Sequence, residues 1–98
     1  MSVCGIREFP VEILGLKKLR ELRVNDNKIP TLPVEIDQLT NLEMLNISNN
    51  DIRRLVKELA NMNQLRYIQC DGNPLVYPRR AVTQKGTNAI MTFLREMG

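Results

Sequence analysis

The chain has 98 residues, a length that suits one domain. Hydrophobic residues make up 43% of it and charged residues 26%, with a formal net charge of +3, which is ordinary for a soluble globular protein. Residues 1–15 carry Arg7, Glu8 and Glu12 without a long apolar run, so we expect neither a signal peptide nor a transmembrane span.

Residues 1–18 are predicted to be the end of an earlier repeat unit. Their apolar positions precede similar residues by 23 positions: Ile6 before Ile29, Phe9 before Leu32, Ile13 before Ile36, and Leu16 before Leu39. Met1 falls on the last core position of a strand in this register. We therefore expect nearly all of that strand to be absent, either because an ancestor was longer or because the chain is a truncated form.

Three repeat units follow, at residues 19–41, 42–64 and 65–77. Five columns keep the 23-residue step: Leu19, Leu42 and Leu65; Leu22, Leu45 and Ile68; Val24, Ile47 and Cys70; Asn27, Asn50 and Asn73; Ile29, Ile52 and Leu75. Alternation in L-x-L is typical of a strand with one buried face, and stacking at a fixed period aligns such strands as a parallel sheet. The pattern L-x-x-L-x-L-x-x-N-x-L resembles the leucine-rich repeat, whose period is about 20–29 residues.

The return segments between the strands are predicted to differ. Pro30 and Pro33 disfavour a regular helix in the first repeat and favour an extended or 3₁₀ return. The second repeat lacks proline there, and the spacing of its apolar residues predicts a short amphipathic helix. Those residues are Ile52, Leu55, Leu59 and Met62.

Residues 78–98 are predicted to form a C-terminal cap. Gly86 interrupts the preceding apolar pattern, and Thr87 is the predicted N-cap of a following helix. Apolar residues then recur at i, i+3, i+4 and i+7, at Ile90, Phe93, Leu94 and Met97. The apolar face of this helix should cover the open end of the last repeat. The predicted fold is therefore α/β, a solenoid with a curved parallel sheet, about three full repeats and a helical cap.

The asparagine column marks the point where the chain leaves each strand. An unpartnered buried backbone group at that turn costs about 1–3 kcal/mol, and an asparagine amide carries both donors and an acceptor. The resemblance to other leucine-rich repeats implies that Asn27, Asn50 and Asn73 form a ladder of such contacts. The alternative is that they are ordinary exposed turn residues.

Further motifs resemble the intracellular Ras-group leucine-rich repeat proteins. They are Leu32-Pro33 with Ile36 and Leu39, the run Asn73-Pro74-Leu75, and the ending Gly86-Thr87 with Ile90, Phe93 and Leu94. This resemblance implies a small GTPase or one of its regulators as the class of partner. The pair Leu55-Val56 departs from the Leu-Pro motif.

The two cysteines are predicted to be reduced. In the repeat register Cys4 falls in the asparagine column, three repeats from Asn73, so its distance from Cys70 is too long for a disulfide. Cys70 occupies a strand position that suits a small core residue. Together with the absence of a signal sequence, reduced cysteines favour a cytoplasmic protein.

Residues between the buried strand positions should point to the concave face, which solenoids use for extended contacts. They form three columns: Glu21, Met44 and Tyr67; Arg23, Asn46 and Gln69; Asn25, Ser48 and Asp71. Met44 beside Tyr67 offers an apolar position in a polar field, suited to a side chain of a protein partner. The alternative is a set of solvated strand residues. No histidine, phosphate-binding loop or metal-spaced cluster is present in the sequence, so we expect neither an enzyme nor a cofactor.

Two further modes of association are considered. The strand at about residues 20–25 lacks a preceding strand in this register, and its edge could pair with a second copy to form a homodimer. Basic residues outnumber acidic ones by 14 to 11, which is the observation in favour of an anionic partner such as nucleic acid. This alternative is weaker than binding of a protein partner on the concave face. Alternating charge at Arg20, Glu43 and Arg66 argues against a continuous basic stripe and favours cross-strand pairing.

Overall fold

A computed structural model describes residues 5–97, with the side chain of Met97 excluded. Three short strands form one parallel sheet in the order β1 (Glu21–Arg23), β2 (Met44–Asn46) and β3 (Tyr67–Gln69). Leu22 pairs with Leu45, and Leu45 pairs with Ile68. The predicted 23-residue register is therefore that of the sheet. Met1 and Cys4, on which two of the sequence predictions depend, lie outside the described residues.

A return segment follows each strand. In the first two repeats this return segment contains a 3₁₀ helix. The 3₁₀ helices formed by residues 5–97 are Val11–Gly15, Val34–Gln38 and Lys57–Asn61. The prediction of a 3₁₀ return after Pro33 is thus confirmed. The sheet and the 3₁₀ helices form two layers, because one such helix lies before each strand and stacks on its neighbours.

The helix predicted for the second repeat is shorter than its apolar spacing indicated. Ile52 and Leu55 lie before it and outside any helix, and Val56 is extended, with φ −75° and ψ 141°. The segment Lys57–Asn61 is 3₁₀ and packs on Val34–Gln38. A 3₁₀ helix rises about 2.0 Å per residue against about 1.5 Å for an α-helix, so it spans the return with fewer residues.

The core lies between the sheet and the return segments. It contains the inward strand residues and the apolar residues of the returns, all of them buried: Leu22, Val24, Ile29, Leu32, Ile36, Leu39, Leu42, Leu45, Ile47, Ile52, Leu55, Leu59, Met62, Leu65, Ile68 and Cys70. The segment before β1 extends this core through Phe9 and Ile13, as predicted, whereas Leu16 is 43% exposed at the end of the stack.

The asparagine ladder is present at all three turns. Asn50 donates from Nδ2 to the carbonyl oxygens of Val24 at 3.0 Å and Ile47 at 3.0 Å. Its Oδ1 accepts the backbone N–H of Ile29 at 3.1 Å. Asn50 is 5% exposed and thus satisfies backbone groups of two consecutive repeats from inside the turn.

The neighbouring asparagines repeat the arrangement. Asn73 accepts from the N–H of Asn50 and of Ile52 at 3.1 Å, and it donates to the carbonyl of Ile47 at 2.9 Å. Asn27 Oδ1 accepts the N–H of Ile6 at 3.0 Å. The same residue type in each turn therefore links every repeat to the one before it.

The C-terminal cap consists of α1 (Arg80–Thr83) and α2 (Thr87–Met97). Helix α2 packs on the third 3₁₀ helix and on β3, and it buries Ile90 and Leu94 to 1% exposure. The predicted cap is confirmed. The short helix α1 was not predicted, because it has no buried residues and therefore no apolar period.

Thr87 has a different role from the one predicted. The helical N–H of Ile90 donates to the carbonyl of Gly86, so Gly86 lies at the N-cap position. The hydroxyl of Thr87 instead accepts the backbone N–H of Ile68 in β3 at 3.0 Å. The side chain therefore satisfies a donor at the outer edge of the sheet rather than the first turn of α2. No helix formed by residues 5–97 has the length and apolarity needed to cross a membrane.

Candidate functional site

The candidate concave surface consists of side chains from three adjacent strands. Glu21 pairs with Met44 and Met44 with Tyr67, so these residues form one row across the sheet. Arg23, Asn46 and Gln69 form the second row in the same way. Adjacent strands lie about 4.8 Å apart, so each row brings three side chains from distant parts of the sequence to neighbouring positions.

Tyr67 and Met44 provide the apolar part of this surface. The residue Tyr67 is 51% exposed, although it is one of the larger hydrophobic residues in the chain. Met44 is half-buried beside it in the paired strand. The aromatic ring has only two rotatable bonds and loses little conformational entropy on binding, and the flexible thioether can adapt to the shape of an apolar side chain of a partner.

An ion pair flanks the apolar position. Arg23 Nη2 lies 3.5 Å from Glu21 Oε2, and both side chains are about half exposed, at 49% and 56%. Because Glu21 and Arg23 are two residues apart in a strand, their side chains point to the same face of the sheet. The pair leaves this end of the concave surface nearly neutral and polar.

The third predicted column contributes less to the surface than the first two. Ser48 is only 6% exposed, and its hydroxyl donates to Asn46 Oδ1 at 2.7 Å. The backbone N–H of Ser48 donates to the same oxygen at 3.1 Å. Ser48 therefore orients Asn46 and offers little area to a partner. Asn25 is half-buried and donates to Asp26 Oδ2 at 2.7 Å, whereas Asp71 is exposed.

A column beside the concave surface was missed by the sequence analysis. Asp26, Asn49 and Gly72 are spaced by the repeat period and have positive φ angles of 61°, 56° and 74°. Asn49 Nδ2 donates to Asp26 Oδ1 at 2.9 Å. Aspartate, asparagine and glycine are the residues that tolerate this left-handed backbone, and their shared register was the signal available in the sequence.

The predicted cross-strand charge pairing is present once. Arg20 Nε lies 3.7 Å from Glu43 Oε2, with side-chain exposures of 77% and 40%. An exposed pair of this kind contributes at most about 1 kcal/mol. It lies at the start of the strands and defines no binding site by itself.

Cys70 is the cysteine within the described residues, and it is buried. Burial, with a smaller contribution from the charge of Asp71, raises the pKa of its thiol from 9.0 to about 11. The thiol is therefore protonated at neutral pH and is a poor nucleophile. Within residues 5–97, no group of three or more histidine, cysteine, aspartate or glutamate residues could hold a metal ion.

The stacked strand–turn–3₁₀ units with an internal asparagine ladder define a solenoid repeat protein. Residues 17–75 match the family model described as leucine rich repeat. The chain belongs to the leucine-rich repeat family, whose fold is generally used for non-catalytic protein interaction.

Comparison with solved structures gives a leucine-rich repeat protein of Leptospira interrogans, with 30% sequence identity and a TM-score of 0.64. The match covers 79% of this chain and 25% of that chain, so this chain spans about a quarter of that protein's length. No curated protein sequence matches. The likeness to the Leptospira protein agrees with the family and with the observed fold.

Proposed function

We propose that the chain is a protein-interaction module that binds its partner on the concave surface. The observation that carries this proposal is the exposed Tyr67 beside Met44, in a row of side chains that the sheet holds in register. Tyrosine is enriched among the residues that dominate binding energy at protein interfaces. The flanking ion pair of Glu21 and Arg23 would supply a polar rim.

The Ras-group motifs support a small GTPase or one of its regulators as the class of partner. These motifs are Leu32-Pro33, Asn73-Pro74-Leu75 and the ending from Gly86. A cytoplasmic location would be consistent with such a partner, and the buried, protonated thiol of Cys70 is compatible with it.

The test is calorimetric titration with a panel of small GTPases in their diphosphate and triphosphate forms. Tyr67→Ala combined with Arg23→Glu should weaken binding at least about tenfold, which corresponds to about 1.4 kcal/mol. The matched control is Val34→Ala combined with Lys18→Glu, which alters an exposed valine of the first repeat and the exposed cation just before that repeat.

The control variant should bind within about twofold of the parent chain, because exposed sites outside an interface change little. Equal binding by the concave double variant and the parent would place the interface elsewhere. If no GTPase binds, the class of partner is wrong, and the same two variants then discriminate surfaces for any other protein ligand.

A further inference from the structure

Four arginines outside the concave surface lie on two adjacent segments, the loop after β2 and the start of the cap, and we call them the arginine cluster: Arg53, Arg54, Arg79 and Arg80. The backbone N–H of Val76 donates to the carbonyl of Arg53 at 2.8 Å, which joins the two segments. Arg54 forms a parallel bridge with Tyr77. Arg79 and Arg80 follow Tyr77 within three residues along the chain, so the pairing of the two segments places the backbones of all four arginines in one region of the structure.

None of the four arginines forms an ion pair within residues 5–97, although Arg80 lines a surface depression together with Asp71. All four residues are exposed. Within residues 5–97 the ion pairs closer than 4.0 Å are Arg20 with Glu43 and Arg23 with Glu21. The arginines of the cluster therefore have guanidinium groups available for an anionic ligand, in contrast to Arg23 on the concave surface.

One guanidinium of the cluster is held in place by an aromatic pair. The guanidinium carbon of Arg54 lies 5.3 Å from the ring centroid of Tyr77. The ring of Tyr77 in turn contacts Phe93 of α2 edge to face, with centroids 5.2 Å apart. Because cation–π contact restrains Arg54, less conformational entropy is lost when it binds a ligand.

An exposed apolar side chain lies within the cluster. Val76 is 65% exposed, the largest exposed fraction among the large hydrophobic residues of the described chain, and its backbone is bonded to Arg53. A ligand that covers this part of the surface would therefore meet guanidinium groups around one apolar contact.

We propose that the arginine cluster binds an acidic polypeptide segment whose apolar side chain packs on Val76. Guanidinium forks bind carboxylates with two parallel hydrogen bonds, which gives geometric selectivity as well as charge attraction. The bound segment would lie across these two segments of the chain, on a surface separate from the concave one.

Two other classes of anionic partner fit this surface less well. Single-stranded nucleic acid binds through aromatic platforms, and the ring of Tyr77 is already engaged by Arg54 and Phe93. A membrane surface favours several apolar side chains on one face. The other exposed large hydrophobic residues of the described chain, namely Val11, Leu16, Val34 and Tyr67, belong to earlier repeats or to the concave surface.

The test measures fluorescence anisotropy of a labelled glutamate-rich peptide with one central leucine. A peptide with glutamine in place of glutamate is the ligand control. Arg53→Gln combined with Arg79→Gln should weaken binding of the acidic peptide at least about tenfold, and added salt should weaken it further. Lys18→Gln combined with Lys28→Gln removes the same charge from two exposed positions, one just before the first repeat and one within it, and should have less than about a twofold effect.

A second pair of variants tests the apolar contact independently of the arginines. Val76→Ser, which removes apolar area without adding charge, should weaken binding of the peptide at least about fivefold, whereas Val34→Ser, at another exposed valine, should not. Tyr67→Ala should leave peptide binding unchanged, which separates this proposal from the concave surface. Circular dichroism and the unfolding midpoint verify that each variant is folded.

Several outcomes would overturn the proposal. Absence of peptide binding, equal binding of the glutamine peptide, or equal losses in the lysine variant would each exclude a specific acidic-segment site. Tighter binding of a single-stranded oligonucleotide, or of phosphatidylserine vesicles, would reassign the arginine cluster to nucleic acid or to a membrane surface.

Discussion

Asn50 shows how one side chain can stabilise two repeats. Its amide donates to carbonyl groups on both sides of the turn and accepts an N–H from the preceding repeat. No isosteric apolar residue supplies these contacts, and water has little access because the residue is 5% exposed. The column of asparagines is thus explained by backbone groups that the strands themselves leave without partners.

We expect Asn50→Ala to lower the free energy of unfolding by about 2–4 kcal/mol, because several buried backbone groups lose their partner at once. Denaturant unfolding monitored by circular dichroism measures the change. The control is Asn63→Ala, at an exposed asparagine, which should change stability by less than about 0.5 kcal/mol. An unchanged midpoint for Asn50→Ala would contradict the energetic importance of the ladder.

Gly72 shows a constraint that involves the neighbouring repeat. Its φ of 74° lies in the left-handed region, and a Cβ atom placed on it would overlap Oδ1 of Asn49. Glycine at this position leaves room for the Asn49 side chain, which donates to Asp26. The left-handed column therefore ends in glycine because of the side chain on the preceding repeat.

We expect Gly72→Ala to destabilise the fold by about 1–3 kcal/mol, through left-handed backbone strain and the clash with Asn49. Gly15→Ala is the matched control, since nothing lies within 4 Å of a Cβ at that position. Thermal unfolding compares the two variants. If Asn49→Gly fails to restore any stability to Gly72→Ala, the clash is not part of the cost.

At the scale of elements, the C-terminal cap closes the sheet with a side chain as well as with apolar packing. Ile90 and Leu94 of α2 cover the core, and the hydroxyl of Thr87 accepts the N–H of Ile68. Exposed N–H groups on an edge strand can pair with another chain. The cap therefore protects the β3 edge by satisfying one of its donors directly.

We expect Thr87→Val to reduce stability by about 1–2 kcal/mol, because the N–H of Ile68 is left unsatisfied in a buried position. Thr87→Ser keeps the hydroxyl and should retain most of the stability. Hydrogen exchange at the Ile68 amide should accelerate in the valine variant alone. Equal exchange of the Ile68 amide in both variants would indicate that water replaces the hydroxyl at no cost. Thr92→Val is the control, because it makes the same substitution at an exposed threonine of the same helix.

At the scale of the whole molecule, the two ends of the solenoid differ. Cap helix α2 packs on β3, whereas β1 pairs with β2 alone among the strands formed by residues 5–97. Leu16 is 43% exposed at the β1 end, whereas its counterpart one repeat later, Leu39, is fully buried. Apolar surface and strand edge therefore lie together at one end of the described chain.

Self-association at this end remains a prediction. Two copies whose β1 strands pair about a two-fold axis would extend the sheet and cover Leu16. Sedimentation of the chain at micromolar concentration should then give a dimer, and Leu16→Glu should shift it toward monomer. Val34→Glu, at an exposed valine away from β1, is the control. A purely monomeric boundary for the parent chain would exclude the dimer.

The repeat period by itself determined the architecture and most of the core. A 23-residue step places Leu22, Leu45 and Ile68 in adjacent strands, because a solenoid can bury one apolar face only by stacking units in register. The cap helix α2 was predicted from the helical spacing of its apolar residues, and the asparagine ladder from the resemblance to other leucine-rich repeats. The concave rows were also predictable, since alternate strand residues point to opposite faces.

Tertiary structure decided the features that depend on contacts between units. Apolar spacing in the second repeat suggested a helix from Ile52, but stacking on Val34–Gln38 gives a short 3₁₀ helix from Lys57. Ser48 alternates correctly for the concave face, yet its hydrogen bonds to Asn46 bury it. Local sequence carries no record of which neighbour a polar side chain will bond, so the role of Thr87 on β3 and the joining of Arg53 to the Val76 loop appear only in the folded chain.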